Sequence, residues 1–239
     1  YVKPEVMKVL DVPSKIQTRT YSLDQKSTIQ ARNVRVEDGF FVFDFESERF
    51  NMENVKCGLP GLHNVENAMV AMAVAFTQGV EVSKIKSAIA EFQGVKRRFD
   101  VYLKTSEIVY IDDYAHHPEE VKMLLKSVKE LYPGKKITTI FQPHLFSRTR
   151  DFGEDFAREL SLSDDLILLE IYPAREEPIE GITSMWLSKL IGKKGVSVCE
   201  KHQLLNVLKT KEVEVLMTVG AGDIDSMIDP IINHYQTDV

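Results

Sequence analysis

From residue 107 to its end the chain alternates two grammars. Short apolar, β-branched runs suit strands, and the segments between them repeat apolar residues at helical spacing. The pattern reads as strand 107–112, helix 118–132, strand 136–141, helix 150–161, strand 165–171, helix 183–191, strand 195–199, helix 202–209, strand 213–219 and helix 223–234. Strand-helix alternation of this kind predicts an α/β domain with a mostly parallel sheet and helices on both faces. Upstream the grammar differs. Residues 17–57 alternate like a β-meander, with a turn at Asp38-Gly39 and an aromatic strand over Phe40 to Phe45. After the Gly58-Leu59-Pro60-Gly61 break, His63 to Phe76 is apolar on nearly every side, which predicts a buried helix, with Asn64 suited to cap it. A second, amphipathic helix is expected near Val82 to Phe92. The change near Lys96 predicts two domains. Residues 1–96 form part of an α/β domain with a small β-meander and two helices, and residues 97–239 form the parallel-sheet domain.

Composition removes several function classes. With 44% apolar residues among 239 the chain can bury a real core. The net charge of -6, without clustered basic residues, argues against a nucleic-acid footprint. Cys57 and Cys199 lie far apart in sequence and read as reduced core residues rather than a disulfide framework. No apolar run reaches the ~18 residues of a membrane span. Tyr1 stands where an initiating Met would, and the chain reads as a fragment of something longer.

The densest chemistry is Tyr110-Ile111-Asp112-Asp113-Tyr114-Ala115-His116-His117-Pro118, at a strand end where a helix begins. Pro118 fits the first helical turn and Glu119 and Glu120 complement the helix dipole. Strand C-termini that feed helices are where open α/β sheets bind ligands. Asp113 is placed to accept hydrogen bonds from hydroxyls or to orient a neighbour, His116 to position a polar substrate group, and His117 to cap the helix. Asp112, Asp113, His116, His117 and His144 are also all metal-ligand types, but several are too close in sequence to converge on one ion. Phe141-Gln142-Pro143-His144-Leu145-Phe146-Ser147-Arg148-Thr149-Arg150 ends the next strand, so it is expected beside the first cluster, with Arg148 matched to a carboxylate. Asn64 and Asn67 share a helical face and offer two amides suited to an adenine edge; on composition alone, a capping Asn and an exposed Asn explain them better. Arg97-Arg98 is either a phosphate clamp or an ordinary solvated pair. Gly220-Ala221-Gly222 reads only as a tight turn, and neither Gly134-Lys135-Lys136 nor Gly192-Lys193-Lys194 completes a P-loop.

In order along the chain stand Gly61-Leu62-His63-Asn64-Val65-Glu66-Asn67, Gly94-Val95-Lys96-Arg97-Arg98-Phe99-Asp100, Asp112 to Pro118, Phe141-Gln142-Pro143-His144 and Ile171-Tyr172-Pro173-Ala174-Arg175-Glu176-Glu177-Pro178-Ile179. Over essentially its whole length the chain resembles the C-terminal half of the Mur ligase family, in the branch that adds the first amino acid to the bacterial peptidoglycan precursor. The resemblance implies that residues 1–96 are the latter part of the central ATPase domain. It makes residues 97–239 a Rossmann-like, amino-acid-binding C-terminal domain. The implied activity is ATP-dependent ligation of L-alanine to the lactyl carboxylate of UDP-N-acetylmuramate through an acyl phosphate, in the bacterial cytoplasm, with Mg²⁺ as cofactor. It also implies that His63, Asn64, Asn67, Arg98, Asp113 and Tyr114 contact the nucleotide and that His116, His144 and Arg148 line the amino-acid side.

Two departures stand out. Leu145 occupies a position where the family pattern has Arg, which leaves the alanine carboxylate to Arg148 or Arg150. The P-loop with its Lys and Mg²⁺-binding groups is not among these residues. The alternatives are the related ligase that reattaches peptides during wall recycling, a metal-dependent phosphoesterase built on the Asp/His cluster, and a nucleotide- or amino-acid-binding module without catalysis. A polypeptide limited to these 239 residues is expected to give no ATP- and alanine-dependent phosphate release, which a phosphate assay on it would check.

Overall fold

The computed structural model describes every residue except 24 and 237–239. It divides into two compact units, Tyr1–Gly94 and Val95–Val239.

The first unit carries a sheet in the order β1 (Tyr21–Ser22), β2 (Ile29–Glu37), β3 (Phe40–Ser47), β4 (Met52–Lys56), with helices α1 (Pro4–Met7), α2 (Leu62–Thr77) and α3 (Val82–Glu91). β2 to β4 form the antiparallel meander, closed by Asp38 and Gly39, both at positive φ as a two-residue hairpin loop demands. The meander does not reach back to residue 17, because β1 is two residues long and pairs parallel with β2. α2 packs on β2 and β3 through Val65, Met69 and Met72, all 0% exposed, and the Phe45, Phe50 and Phe76 rings stack beside it. α2 is not buried all round: Ala71 and Val74 lie on an exposed face. Small apolar side chains tolerate exposure, so their presence around a helix does not require burial around it. Asn64 is not its cap either. Gly61 holds that place at φ 109, and Asn64 stands one turn in, its amide donating back to the Pro60 carbonyl.

The second unit is a six-stranded sheet in the order β5-β6-β10-β7-β8-β9, formed by β5 (Asp100–Lys104), β6 (Val109–Asp113), β7 (Ile137–Phe141), β8 (Asp165–Leu169), β9 (Val196–Cys199) and β10 (Val215–Val219). Strands β6 to β10 are mutually parallel, and β5 is an antiparallel edge strand that the sequence pattern missed. Helix α4 (Pro118–Leu131) forms where the pattern places it. Pro118 opens it, Glu119 and Glu120 occupy the first turn, and Val121, Leu124, Leu125, Val128 and Leu131 are its buried stripe. It lies beside α6 (Gly153–Leu160), which in turn lies beside α7 (Ser184–Ile191), and the Phe156 ring of α6 meets Phe141 at 5.3 Å. The other face of the sheet receives α8 (Leu204–Leu208) and α9 (Ile228–Gln236), whose Leu204, Leu208, Ile228 and Ile231 pack with Tyr110, Ile140, Ile167 and Leu216.

Three predicted helices are cut differently. The expected helix 150–161 is two helices, α5 (Phe146–Asp151) and α6, broken at Phe152, and Gly153 lies so close to Trp186 that a Cβ there would come within 2.9 Å of its ring. The segments 202–209 and 223–234 each open with a 3₁₀ turn, Lys201–Gln203 and Asp223–Met227. Both cysteines are buried and unpaired. Among the described residues no helix is long and apolar enough to cross a membrane.

Leu216 is wholly buried at the middle of the sheet, so Leu216→Ala is expected to cost about 2–5 kcal/mol of unfolding free energy, whereas Val74→Ala on the exposed face of α2 should stay within about 0.5 kcal/mol. Denaturant unfolding of both variants measures the contrast.

Candidate active site at the C-terminal edge of the parallel sheet

Parallel strands deliver their C-terminal ends to one edge. Here β10 lies between β6 and β7, with Val219 in register with both Asp113 and Phe141. The loops after β6 and β7 are therefore not immediate neighbours, as the sequence suggested. The loop after β10 sits between them and ties both: the Gly220 amide donates to the Asp113 carbonyl, and the Gln142 amide to the Val219 carbonyl. The Gly220-Ala221-Gly222 turn is thus part of the site rather than a mere turn. At φ 147, Gly220 occupies backbone space that side chains avoid, and a Cβ on it would stand 2.7 Å from the Gln142 carbonyl oxygen. The Gln142 amide group donates to Asp223 at 2.8 Å and accepts from the Ile224 amide at 2.9 Å, pinning the start of the 3₁₀ turn.

Asp112 and Asp113 are both buried, on opposite faces of β6, as consecutive strand residues must be. Asp112 accepts from Arg97 Nε at 2.9 Å and from the Thr218 hydroxyl at 2.7 Å. Arg97 also donates to the Gly220 carbonyl at 2.7 Å, and its side chain is 15% exposed, so it is no solvated surface residue. Asp113 has no such side-chain hydrogen bond among the described residues. Its two oxygens accept the main-chain amides of Phe99, at 2.8 Å, and Ala115, at 2.7 Å. Burial pushes its carboxyl up to about 6, against those amides and the nearby Arg98 charge, which pull it down. Burial likewise raises Asp112, against its Thr218 and Arg97 bonds.

Beyond Asp113 the chain turns outward. Arg97 and Arg98 lie 5.1 and 5.9 Å from the Tyr114 ring centre, and Arg98 is 3.9 Å from Glu120. His116 Nδ1 donates to the Tyr114 carbonyl at 2.9 Å. His117 is the N-cap of α4, and the Glu120 carboxylate accepts the amides of both histidines. Burial alone would raise Glu120. The His116 and His117 amides and the charges of His116 and Arg98 outweigh it and hold the carboxyl low.

His144 stands 6.1 Å from His116, ring to ring, and stacks on Tyr172 at 5.6 Å. Arg148, one turn into α5, donates to His144 Nδ1 at 3.2 Å and forms no ion pair among the described residues. Burial, then the Arg148 and His116 charges, lowers the His144 pKa, so this imidazole is neutral at pH 7. Glu176 accepts the Ser147 hydroxyl and amide, fastening the loop after β8 to the start of α5. Arg150 is exposed and paired with Asp151, which leaves Arg148 as the arginine of this cluster. Leu145 adopts φ 73 at the helix start. In the first unit Asn67 donates to Asn64 Oδ1 at 3.4 Å, and His63 folds against Gly61. Among the described residues no three His, Cys, Asp or Glu side chains gather to hold a metal.

The structure thus brings Asp113, Tyr114, His116, His144 and Arg148 to one edge and joins Asn64 to Asn67. Sequence reasoning weighed Arg97 only as half of a phosphate clamp with Arg98, and passed over Gln142, Tyr172 and Glu176 as separate functional residues. Only the strand-end positions of Gln142 and Tyr172 could have flagged them.

Comparison with known proteins identifies the family. Residues 97–222 match the model of the "Mur ligase, glutamate ligase domain" and residues 4–75 that of the "Mur ligase middle domain". The chain belongs to the Mur ligase family. It is 46% identical over 209 residues to the UDP-N-acetylmuramate–L-alanine ligase of Flavobacterium psychrophilum, covering 87% of this chain and 47% of that one. It is 44% identical over 226 residues to the enzyme of the same name from Porphyromonas gingivalis strain W83, covering 94% and 50%. The crystal structure of UDP-N-acetylmuramate-alanine ligase MurC from Thermotoga maritima superposes with a TM-score of 0.78 at 29% identity, covering 92% of this chain and 48% of that one. The chain spans about half the length of the curated relatives it matches. The Mur ligase match over residues 97–222 contains every residue of the sheet-edge cluster, from Arg97 to Gly222.

Two outcomes follow. Asp113 binds its proton more tightly when folded, at about 6 against 3.8, so its contribution to stability is full below the lower value and is lost as pH rises through the upper one. Melting curves of Asp113→Asn against wild type should therefore diverge in the variant's favour between about pH 4 and 6.5; a gap independent of pH would contradict this. Gly222→Ala would drive a methyl onto Gln142 Oε1 and to 2.7 Å from Tyr172 Cβ, so it should lower the melting temperature measurably, which thermal unfolding of the variant beside wild type checks.

Proposed function

We propose that the protein carrying this chain ligates L-alanine to the lactyl carboxylate of UDP-N-acetylmuramate in peptidoglycan precursor synthesis, with ATP activating the carboxylate as an acyl phosphate. The observation that carries the reading is Arg148: a guanidinium fixed by a neutral imidazole, near Glu176 but in no ion pair among the described residues, at the edge where the strand ends meet. Such a fork matches the carboxylate of a free amino acid. His144 spends its Nδ1 lone pair on Arg148 and stacks on Tyr172, so its part is to orient the guanidinium. His116 donates from Nδ1 to the Tyr114 carbonyl, which leaves Nε2 as the nitrogen able to take a proton from the incoming amine. In that step the amine nitrogen bonds the acyl carbon, the bond to the phosphate oxygen breaks, and the amine proton departs. Positioning and charge neutralisation supply most of such catalysis.

Within the first unit, Asn67 is exposed and offers its amide to adenine, while the buried Asn64 anchors it and His63 lies alongside. Within the second unit, taken by itself, Arg98 contributes positive charge for a nucleotide, loosely paired with Glu120, and Tyr114 an exposed ring. Each Asp113 oxygen accepts one amide and retains a lone pair for a ribose hydroxyl. A Mg²⁺ ion would neutralise phosphate charge. The described residues of this chain do not build its site, so no step is assigned to it. The same finding removes support from the phosphoesterase alternative, which needs a tightly held metal.

The test uses the full-length protein. ADP formation should require both UDP-N-acetylmuramate and L-alanine. Turnover with a tripeptide but not with L-alanine would replace this reading with the peptide-adding one. In the same assay Arg148→Ala should raise the KM for L-alanine ~30- to 150-fold, the loss of one charge-assisted contact of about 2–3 kcal/mol, with the KM for ATP within about twofold of wild type.

A further inference from the structure

We propose that Arg97, next to the residue assigned to the nucleotide, is a positioning residue: its side chain grips two strand ends so that Arg98 and Asp113 keep a single relation to each other. The inference rests on the nucleotide roles proposed above for Arg98 and Asp113. Arg97 and Phe99 both sit at positive φ, 61 and 52, on either side of Arg98. For non-glycine residues that backbone is strained, and for a bulky Phe it is an outlier. Such strain persists only where the surroundings over-determine it, and it concentrates at functional sites. The surroundings are specific. The Arg97 guanidinium bonds Asp112 on β6 and the Gly220 carbonyl after β10, reaches Gly222 at 3.4 Å, and lies 3.6 Å from Asp225. Its own carbonyl accepts the Tyr114 amide at 2.8 Å, and its amide donates to Asp100 at 3.3 Å. Phe99 is 2% exposed and donates its amide to Asp113. The Arg97-Arg98-Phe99 turn is therefore clamped at both ends, one end by a side-chain fork and the other by the carboxylate of Asp113 itself. From Asp112 the bonds continue inward through Thr218 to Tyr110, both 0% exposed, which roots the clamp in the core. None of these bonds runs to His144 or Arg148, so the clamp bears first on the nucleotide residues.

The experiment compares Arg97→Lys and Asp112→Asn with wild type in the full-length protein. Lysine keeps a cation beside Asp112 but cannot span Asp112 and two carbonyls at once. The ADP Kd by calorimetry is expected to weaken about 10- to 100-fold, as when an orienting partner of a ligating group is removed, while the KM for L-alanine stays within about twofold. Asp112→Asn should move the same two quantities in the same direction. Unchanged ADP affinity in a folded Arg97→Lys variant overturns the proposal, and so does equal weakening toward ADP and L-alanine. Failure of both variants to fold also overturns it, by assigning the pair to stability alone. Should wild type itself not bind ADP, the nucleotide reading fails first, and that result is visible before any variant is made.

Discussion

Parallel register is the constraint on which the second unit depends. Main-chain bonding along β6, β10 and β7 sets Asp113, Val219 and Phe141 side by side, so three loops leave the sheet at one level. The middle loop has to be thin. Its glycines let Gln142 and Tyr172 close against the main chain, where any side chain would collide. The loop after β8 then joins through the Tyr172 amide on the Pro143 carbonyl and through Glu176 on Ser147. Four loops distant in sequence become one surface because strand pairing leaves them little choice.

Charge is then divided between two adjacent carboxylates. Pleating sends Asp112 and Asp113 to opposite faces of β6, into different company. Asp112 meets a guanidinium and a hydroxyl and is fully engaged by side chains. A buried ion pair of this kind adds little net stability over an apolar one, yet breaking it is expensive, which suits a structural rivet. Asp113 accepts main-chain amides, with the Arg98 charge nearby, and remains a carboxylate with acceptor capacity, destabilised by its burial. Two identical side chains thus take different parts because the strand places them in different surroundings. The same logic separates Arg97, enclosed, from Arg98, exposed, one residue apart.

Much of this was legible beforehand. The five parallel strands and α4 fall within two residues of where apolar periodicity placed them, because each strand is short, apolar and bounded by turn residues. The cluster from Asp112 to His117, with His144 and Arg148, was recognisable by residue type at strand ends. Other features were not. β5 lies at a sheet edge, where only alternate residues need be apolar, and its signal merged with the segment before it. The close approach of Gly153 to Trp186, next to the break at Phe152, joins residues more than thirty apart in sequence. Arg97 and Arg98 are the same letter, and nothing local told which would be enclosed.

The amino-acid sequence by itself determined the order of strands and helices, the side chains that stand at strand ends, and the glycines that permit close approach. Those are local consequences of side-chain periodicity and backbone freedom. Tertiary structure alone decided that β10 enters between β6 and β7, that Arg97 rather than Arg98 pairs with Asp112, and that Gly220 and Gly222 close on Gln142. These are contacts between segments well separated along the chain. They follow from strand pairing and burial across the whole sheet, which no single stretch of chain encodes.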